Sequence, residues 1–315
     1  MLTGGVSSSR LQLDAQHTGF VHVGPGMYDY AEIPVALKPS IHMQRAYVGL
    51  GSQWAAINTQ LTLSRDELGQ GVANNNFLIG AGYALGGGYK LTATRSSALL
   101  APTVGQRFDA SFGGNPNLLP ERSFSDEVGV QYRADRVQWR LVAFSARYSN
   151  LISAGSQLVS DPFWRNQGVY QYENVGQARN RGYEWSSTWR SGPWLASLGL
   201  TWQEPENLNS AIKTINKANR FGQTRLGYQF DPDTRLTWTA YGNAGRYTLA
   251  PGDSSLAPSR TAGYSVHHLA LEHRISKSLG TKFSVLNALD RRDEAVAGYA
   301  AQPRTWMAGL TYQTD

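Results

Sequence analysis

The side chains able to do chemistry are few and poorly gathered. His267 and His268 are adjacent, and neighbours in an extended chain point to opposite faces, so the two cannot share one metal ion. Three carboxylates, Glu121, Asp126 and Glu127, stand beside Arg122, and they read as a solvated charge cluster with a local cation rather than an acid–base pair. The glycine run between Leu85 and Tyr89 is a turn, since neither a phosphate-loop lysine nor a strand-linked Gly-x-Gly-x-x-Gly surrounds it. Arg291, Arg292, Asp293 and Glu294 form a mixed-charge loop without the spaced acids that Ca²⁺ requires. The absence of cysteine excludes disulfides and thiolate metal sites. No catalytic residue, metal or cofactor is assigned, and the chain reads as a non-enzyme.

The elements that carry these residues are strands. Of 315 residues only 17% are charged, while 33 are Gly, nine Trp and sixteen Tyr. Few charges with many Tyr, Trp and Gly suit a β-barrel with aromatic girdles at its lipid interfaces, although a soluble sandwich or propeller stays open on composition alone. Net charge is +6, but the basic residues are dispersed, so nucleic acid is not an expected partner. No apolar run approaches the roughly 18 residues of a membrane helix. A place in a membrane therefore means a closed barrel, the other structure that satisfies every backbone group in lipid. The opening stretch MLTGGVSSSRLQLDAQ has no basic n-region, apolar core or small-residue cleavage site, and is not read as a signal peptide.

Period-2 alternation marks about fourteen strands, at 5–16, 41–51, 54–64, 75–85, 89–98, 122–133, 137–149, 181–190, 194–202, 220–230, 234–246, 264–274, 279–289 and 304–313. Connections alternate long and short, with tight turns expected at Ser52-Gln53, Gly86 to Gly88, Ala134-Asp135, Ser191 to Pro193 and Asp231 to Asp233. That rhythm suits long extracellular loops and short periplasmic turns. Trp194, Ala196, Leu198, Leu200 and Trp202 share one face, with the two Trp roughly 20 Å apart along a membrane normal. The opposite face, Leu195, Ser197, Gly199 and Thr201, is small or polar, as a lumen face should be. Leu226, Tyr228 and Phe230 repeat the apolar pattern, as do Trp306, Ala308, Leu310 and Tyr312.

Several segments resemble those of TonB-dependent outer-membrane receptors. GGNPNLLPERSFSDEVGVQY, from Gly113 to Tyr132, is similar to the NPNLKPERS-x-x-x-E-x-G-x-x-Y stretch in which a long extracellular loop re-enters the barrel, and it matches at Asn115, Pro116, Pro120, Glu121, Glu127 and Gly129. Both prolines exclude regular structure ahead of the strand, which can begin only after Pro120. YKLTATRSSALLAPTVGQ, from Tyr89, looks like the strand that precedes this loop. YENVGQARNRGYE resembles Y-x-N-x-x-x-A-x-x-x-G-x-E, with Gly182 and Glu184 in place. Asn287 to Asp290 is similar to NLFD, and Tyr299 followed by Pro303-Arg304 to the GY…PGR approach to a last strand. Order and spacing are most like the vitamin B12 (cobalamin) receptor branch.

The resemblance implies an all-β fold, an antiparallel transmembrane β-barrel. Residues 1–315 would be the C-terminal portion of a plugged barrel of roughly 22 strands, with the plug domain, TonB box and signal peptide outside it. A partial wall would carry two unpaired edges. It further implies uptake of a cobalamin-like chelate energised by TonB, in the outer membrane of a Gram-negative cell. Expected partners are cobalamin or another metal chelate, TonB, the plug, and outer-membrane lipid and lipopolysaccharide. Ligand contacts fall by position on Lys217, Arg220, Tyr247 and Tyr299. A ferric-siderophore or haem receptor is the alternative within the fold, and a soluble β-rich carbohydrate-binding or hydrolytic module the alternative outside it.

Overall fold

The computed structural model describes residues 1–12, 17–24, 27–33, 40–68, 73–109, 113–160, 168–209, 217–248, 259–292, 294–296 and 299–313. The strands begin with β1 (Leu2–Gln12), β2 (His17–Gly24), β3 (Met27–Ile33), β4 (Ser40–Trp54), β5 (Ile57–Glu67), β6 (Ala73–Gly86) and β7 (Tyr89–Leu100). Helix α1 (Val104–Phe108) precedes β8 (Glu121–Arg133), β9 (Val137–Ser160), β10 (Gly168–Ser191), β11 (Trp194–Asn207), β12 (Arg220–Gln229) and β13 (Thr234–Asn243). After these come β14 (Tyr247–Thr248), β15 (Ser259–Arg260), β16 (Tyr264–Arg274), β17 (Leu279–Leu286), β18 (Glu294–Val296), β19 (Tyr299–Ala300) and β20 (Thr305–Tyr312).

One sheet holds fourteen of these strands in the order β1-β4-β5-β6-β7-β8-β9-β10-β11-β12-β13-β16-β17-β20. The registers that can be followed are all antiparallel. The remaining strands form the hairpins β2-β3, β14-β15 and β18-β19. By contact density the chain divides into one compact unit of Met1–Ala81, Thr94–Asp126 and Ala146–Ala178, and a second of Gly82–Ala93, Glu127–Ser145 and Arg179–Asp315.

The second unit shows why the sheet has two unlike faces. Residues opposite each other in an antiparallel pair share a face. Register therefore lines up Trp194, Tyr228, Leu236, Leu271, Phe283 and Ala308, and above them Ala196, Leu226, Trp238, Leu269, Val285 and Trp306. Trp194 and Tyr228 meet edge to face at 4.6 Å between centroids, and Tyr228 meets Phe230 at 4.8 Å. The other face carries Ser197, Arg225, Thr239 and His268 in one row. Farther along, Arg235, Glu272 and Lys282 lie side by side, with Glu272 paired to Arg235 and 3.2 Å from the Lys282 ammonium. The faces of β11, β12 and β20 are the expected ones, and register extends them through β13, β16 and β17.

Several boundaries differ from expectation. The β4-β5 turn lies at Ala55-Ala56, where Trp54 pairs with Ile57 and Ala55 takes φ 51°, not at Ser52-Gln53, whose polar side chains are simply part of the strand. The connection expected at 17–40 contains the β2-β3 hairpin. Strands β9 and β10 run 24 residues each, well beyond 137–149 and 181–190, because paired strands satisfy each other's backbone groups wherever both continue. Inside the loop expected at 99–121 sits α1, closed by a capping box between Thr103 and Gln106.

Candidate functional site

In the first unit the re-entry loop is stapled rather than loose. Asn115 donates from Nδ2 to the Tyr172 carbonyl at 2.8 Å and accepts the Asn117 amide on Oδ1 at 2.9 Å. Gly113 has φ +73°, and a Cβ there would be driven into the Tyr170 carbonyl, so only glycine fits. The Pro116 carbonyl receives the Arg107 guanidinium at 2.6 and 3.2 Å. Arg107 is 7% exposed, and burial lowers its pKa from the ordinary guanidinium value. Pro120 is buried at the loop's end, and Glu121 accepts the Ile152 amide at 2.8 Å. Asn174 spans three backbone groups, donating to the Leu119 and Asn150 carbonyls and accepting the Leu119 amide, each at 2.8 Å.

The three carboxylates of the expected charge cluster are separately engaged. Glu121 caps a backbone amide, Asp126 lies 3.4 Å from Arg95, and in the second unit Glu127 lies 3.5 Å from Arg140. Strand alternation puts Asp126 and Glu127 on opposite faces. The local-partner reading of Arg122 is therefore replaced by cross-strand partners. His267 and His268 do point apart, opposite Ala240 and Thr239 respectively. Among the described residues no group of three metal-ligating side chains is assembled.

The second unit holds a second staple. Asn287, 3% exposed with φ 48°, donates from Nδ2 to the carbonyls of Arg291 and Gln302 at 2.8 and 2.9 Å and accepts the Arg291 amide at 3.0 Å. Its own amide donates to His268 Nδ1 at 3.1 Å. Asp290 accepts the Arg304 amide at 3.0 Å, which fixes the approach to β20. Gly182 lies so close to the Trp202 carbonyl that no Cβ fits. Gly129 is similarly confined, since a Cβ there would stand 3.0 to 3.1 Å from atoms of Leu141, Thr92 and Val142.

The polar face of this unit has a depression of about 450 Å³ around Gly199, whose lining includes Arg140, Glu184, Phe221, Gln223, Tyr241 and Asn243. At its edge Asn243 Nδ2 and Arg246 Nη2 both donate to the Tyr264 hydroxyl, at 3.2 and 3.1 Å, and the Arg246 guanidinium stacks 5.7 Å from the Tyr264 ring centre. Flat rings, amides and a guanidinium on one surface can grip a large ligand that has planar parts and polar edges.

Of the four expected ligand contacts, Lys217 is exposed just ahead of β12 and Tyr247 is half-buried in β14 opposite Arg260. Tyr299 begins β19, and its side chain lies outside the described residues. Arg220 is the first residue of β12 and pairs with Trp202, which puts it on the apolar face, not in a loop above the polar one. The sequence reading did not single out Tyr241, Asn243, Arg246 and Tyr264. Their signal was parity: Tyr241 and Asn243 alternate with the Trp238 and Ala240 face.

A wide antiparallel meander with one aromatic-rimmed apolar face and one polar face is the wall of an outer-membrane β-barrel. The family model described as TonB dependent receptor-like, beta-barrel matches residues 56–288, and the chain belongs to that family. Its place is accordingly the outer membrane of Gram-negative bacteria. The fold is similar to a variant of the ferric enterobactin receptor PfeA from Pseudomonas aeruginosa, with TM-score 0.76 and 22% identity over 99% of this chain and 50% of that one. It is likewise similar to the copper transporter OprC, with TM-score 0.77 and 14% identity over 99% and 54%. The siderophore receptor PirA from Acinetobacter baumannii gives 0.75 and 18% over 87% and 46%. The chain thus spans about half the length of these solved structures.

Proposed function

We propose that this chain is the C-terminal part of the barrel wall of a TonB-energised receptor that takes up a scarce metal chelate. Residues 1–315 supply the wall, while the plug and the contact with TonB belong to the rest of the receptor. The supporting observation is the polar-face set of Phe221, Gln223, Tyr241, Asn243, Arg246 and Tyr264, back to back with a face of Trp, Leu and Tyr. Such a set suits a flat, amide-rich chelate, and the order of the sequence motifs favours a cobalamin over a ferric siderophore. Lys217, Tyr247 and Tyr299 would add loop contacts above it.

The test is a titration of the full-length receptor in detergent, followed by its Trp fluorescence, with cyanocobalamin and with a ferric siderophore. Tight binding of cyanocobalamin alone is expected, weakened about tenfold by Arg246→Ala, the worth of a charge-assisted hydrogen bond. Tight siderophore binding with the same Arg246 dependence would establish the alternative ligand. Binding of neither, by a chain folded and soluble without detergent, would overturn the reading.

A further inference from the structure

The approach to β20 hangs on a histidine. Past Leu286 the β16-β17 ladder continues with the Ala288 amide on the His267 carbonyl at 2.7 Å, but the amide of Asn287 is taken by a side chain, His268 Nδ1, at 3.1 Å. An N–H can be donated only to a ring nitrogen that carries no proton, so this contact requires the neutral imidazole with its proton on Nε2. The ring is half-buried, and Tyr241 meets it edge to face with 5.6 Å between centres. Asn287 in turn holds the Arg291 and Gln302 carbonyls, near the two ends of the connection 287–304. That connection lies at the outer end of the wall, since the β16-β17 turn at 275–278 is the short one.

Protonation reverses the sense of that contact. An imidazolium carries a proton on both nitrogens, so Nδ1–H would face the Asn287 N–H, donor against donor, and the ring must turn away. The groups around it offer no other anchor. On β13 Thr239 stands opposite and Tyr241 beside it, and on β12 Arg225 is the charge of the same row. Farther along β16 and β17 Glu272 already carries Arg235 and Lys282. The connection brings Asp290, which takes the Arg304 amide, and Arg291, whose backbone Asn287 holds. His267 lies on the opposite face against Trp238 and Ser265. Among the described residues, therefore, no carboxylate pairs with His268 to keep a charged ring in place. Histidine ordinarily takes up its proton near pH 6.5.

We infer that His268 is a proton-operated latch on the outer connection 287–304, closed while the imidazole is neutral and opened when the surroundings turn acid. The latch works whichever chelate the receptor carries. The test is hydrogen exchange of the full-length receptor in detergent, read by mass spectrometry on peptides from 287–304 at pH 7.5 and pH 5, with each variant compared to wild type at the same pH. In His268→Asn the side-chain oxygen, one bond beyond Cγ like Nδ1, accepts the Asn287 amide at every pH and does not titrate. His268→Phe keeps a ring beside Tyr241 and removes the acceptor. Wild type and His268→Asn should exchange alike at pH 7.5, and at pH 5 wild type should be about fivefold faster, the worth of one hydrogen bond. His268→Phe should be about fivefold faster than His268→Asn at both values. A heat-induced mobility shift in SDS gels shows that each variant is folded. In the unmodified receptor, labelled at histidine and asparagine, the NMR signal of the Asn287 amide should move with the same midpoint as the His268 ring. Equal rates for wild type and His268→Asn at pH 5, a slow connection in His268→Phe at pH 7.5, or an Asn287 signal that stays fixed while His268 titrates would overturn the inference.

Discussion

Replacing Asn287 by alanine removes three side-chain hydrogen bonds at once, two donated to the Arg291 and Gln302 carbonyls and one accepted from the Arg291 amide. The site is 3% exposed, so water cannot take over those groups. At about 1 kcal/mol net for each bond the loss is about 3 kcal/mol. The backbone adds to it. Asn287 sits at φ 48°, in the left-handed region that asparagine adopts more cheaply than alanine, for about 1 kcal/mol more. Asn287→Ala should therefore lose about 4 kcal/mol and Asn287→Gly about 3 kcal/mol, because glycine removes the bonds but not the conformational freedom. Urea titration of the full-length receptor folded into lipid vesicles, followed by Trp fluorescence and by mobility in SDS gels, measures both. Alanine within 1 kcal/mol of wild type, or glycine less stable than alanine, would refute the reasoning.

Three further outcomes follow from the geometry. Gly182→Val, which drives a side chain into the Trp202 carbonyl, should abolish the folded form seen by mobility shift, whereas Gly280→Val, where the nearest atom is 3.9 Å away, should fold. Asn115→Ala should leave global stability nearly unchanged but speed proteolytic cutting within 99–121 about tenfold, since it frees the loop from the Tyr172 carbonyl. In the β12-β13 turn the Asp231 carboxylate is held below its ordinary pKa, first by the Asp233 amide and then by the Thr234 side chain. A depressed folded pKa means a contribution fully present above the unfolded value near 4 and lost as pH falls through the folded value. Acid titration of receptor stability should therefore be shallower below pH 4 for Asp231→Asn, which keeps the acceptor without the charge.

Much of the wall was legible because a two-faced sheet writes itself as period 2, and Trp194 and Trp202, at the two ends of the strand expected at 194–202, set the expected interfaces before any register was known. The misplaced turn shows the limit. Ala55-Ala56 carries none of the glycine, asparagine or proline chemistry by which a tight turn announces itself, while Ser52-Gln53 is polar enough to imitate one. Helix α1 has five residues, too few for helical periodicity, and its one local sign was the spacing of Thr103 and Gln106. The motif residues Asn115, Glu121, Asn287 and Asp290 were visible as a pattern, but their role as backbone staples depends on partners up to 57 positions away. The Asn243-Arg246-Tyr264 cluster was hidden for the same reason, since register across β13 and β16 brings it together.

The order of the sheet has one more consequence, for how such a wall can change over evolutionary time. From β4 onward each strand of the main sheet pairs with those before and after it among the sheet's members, and the chain never crosses over. A hairpin is thus a transferable unit. Duplicating or deleting one alters the strand count by two and leaves every other pairing and face intact, provided the two strands that become neighbours keep matching parity. Loops can diverge in length and ligand chemistry on the same terms, so circumference and specificity are free to vary independently.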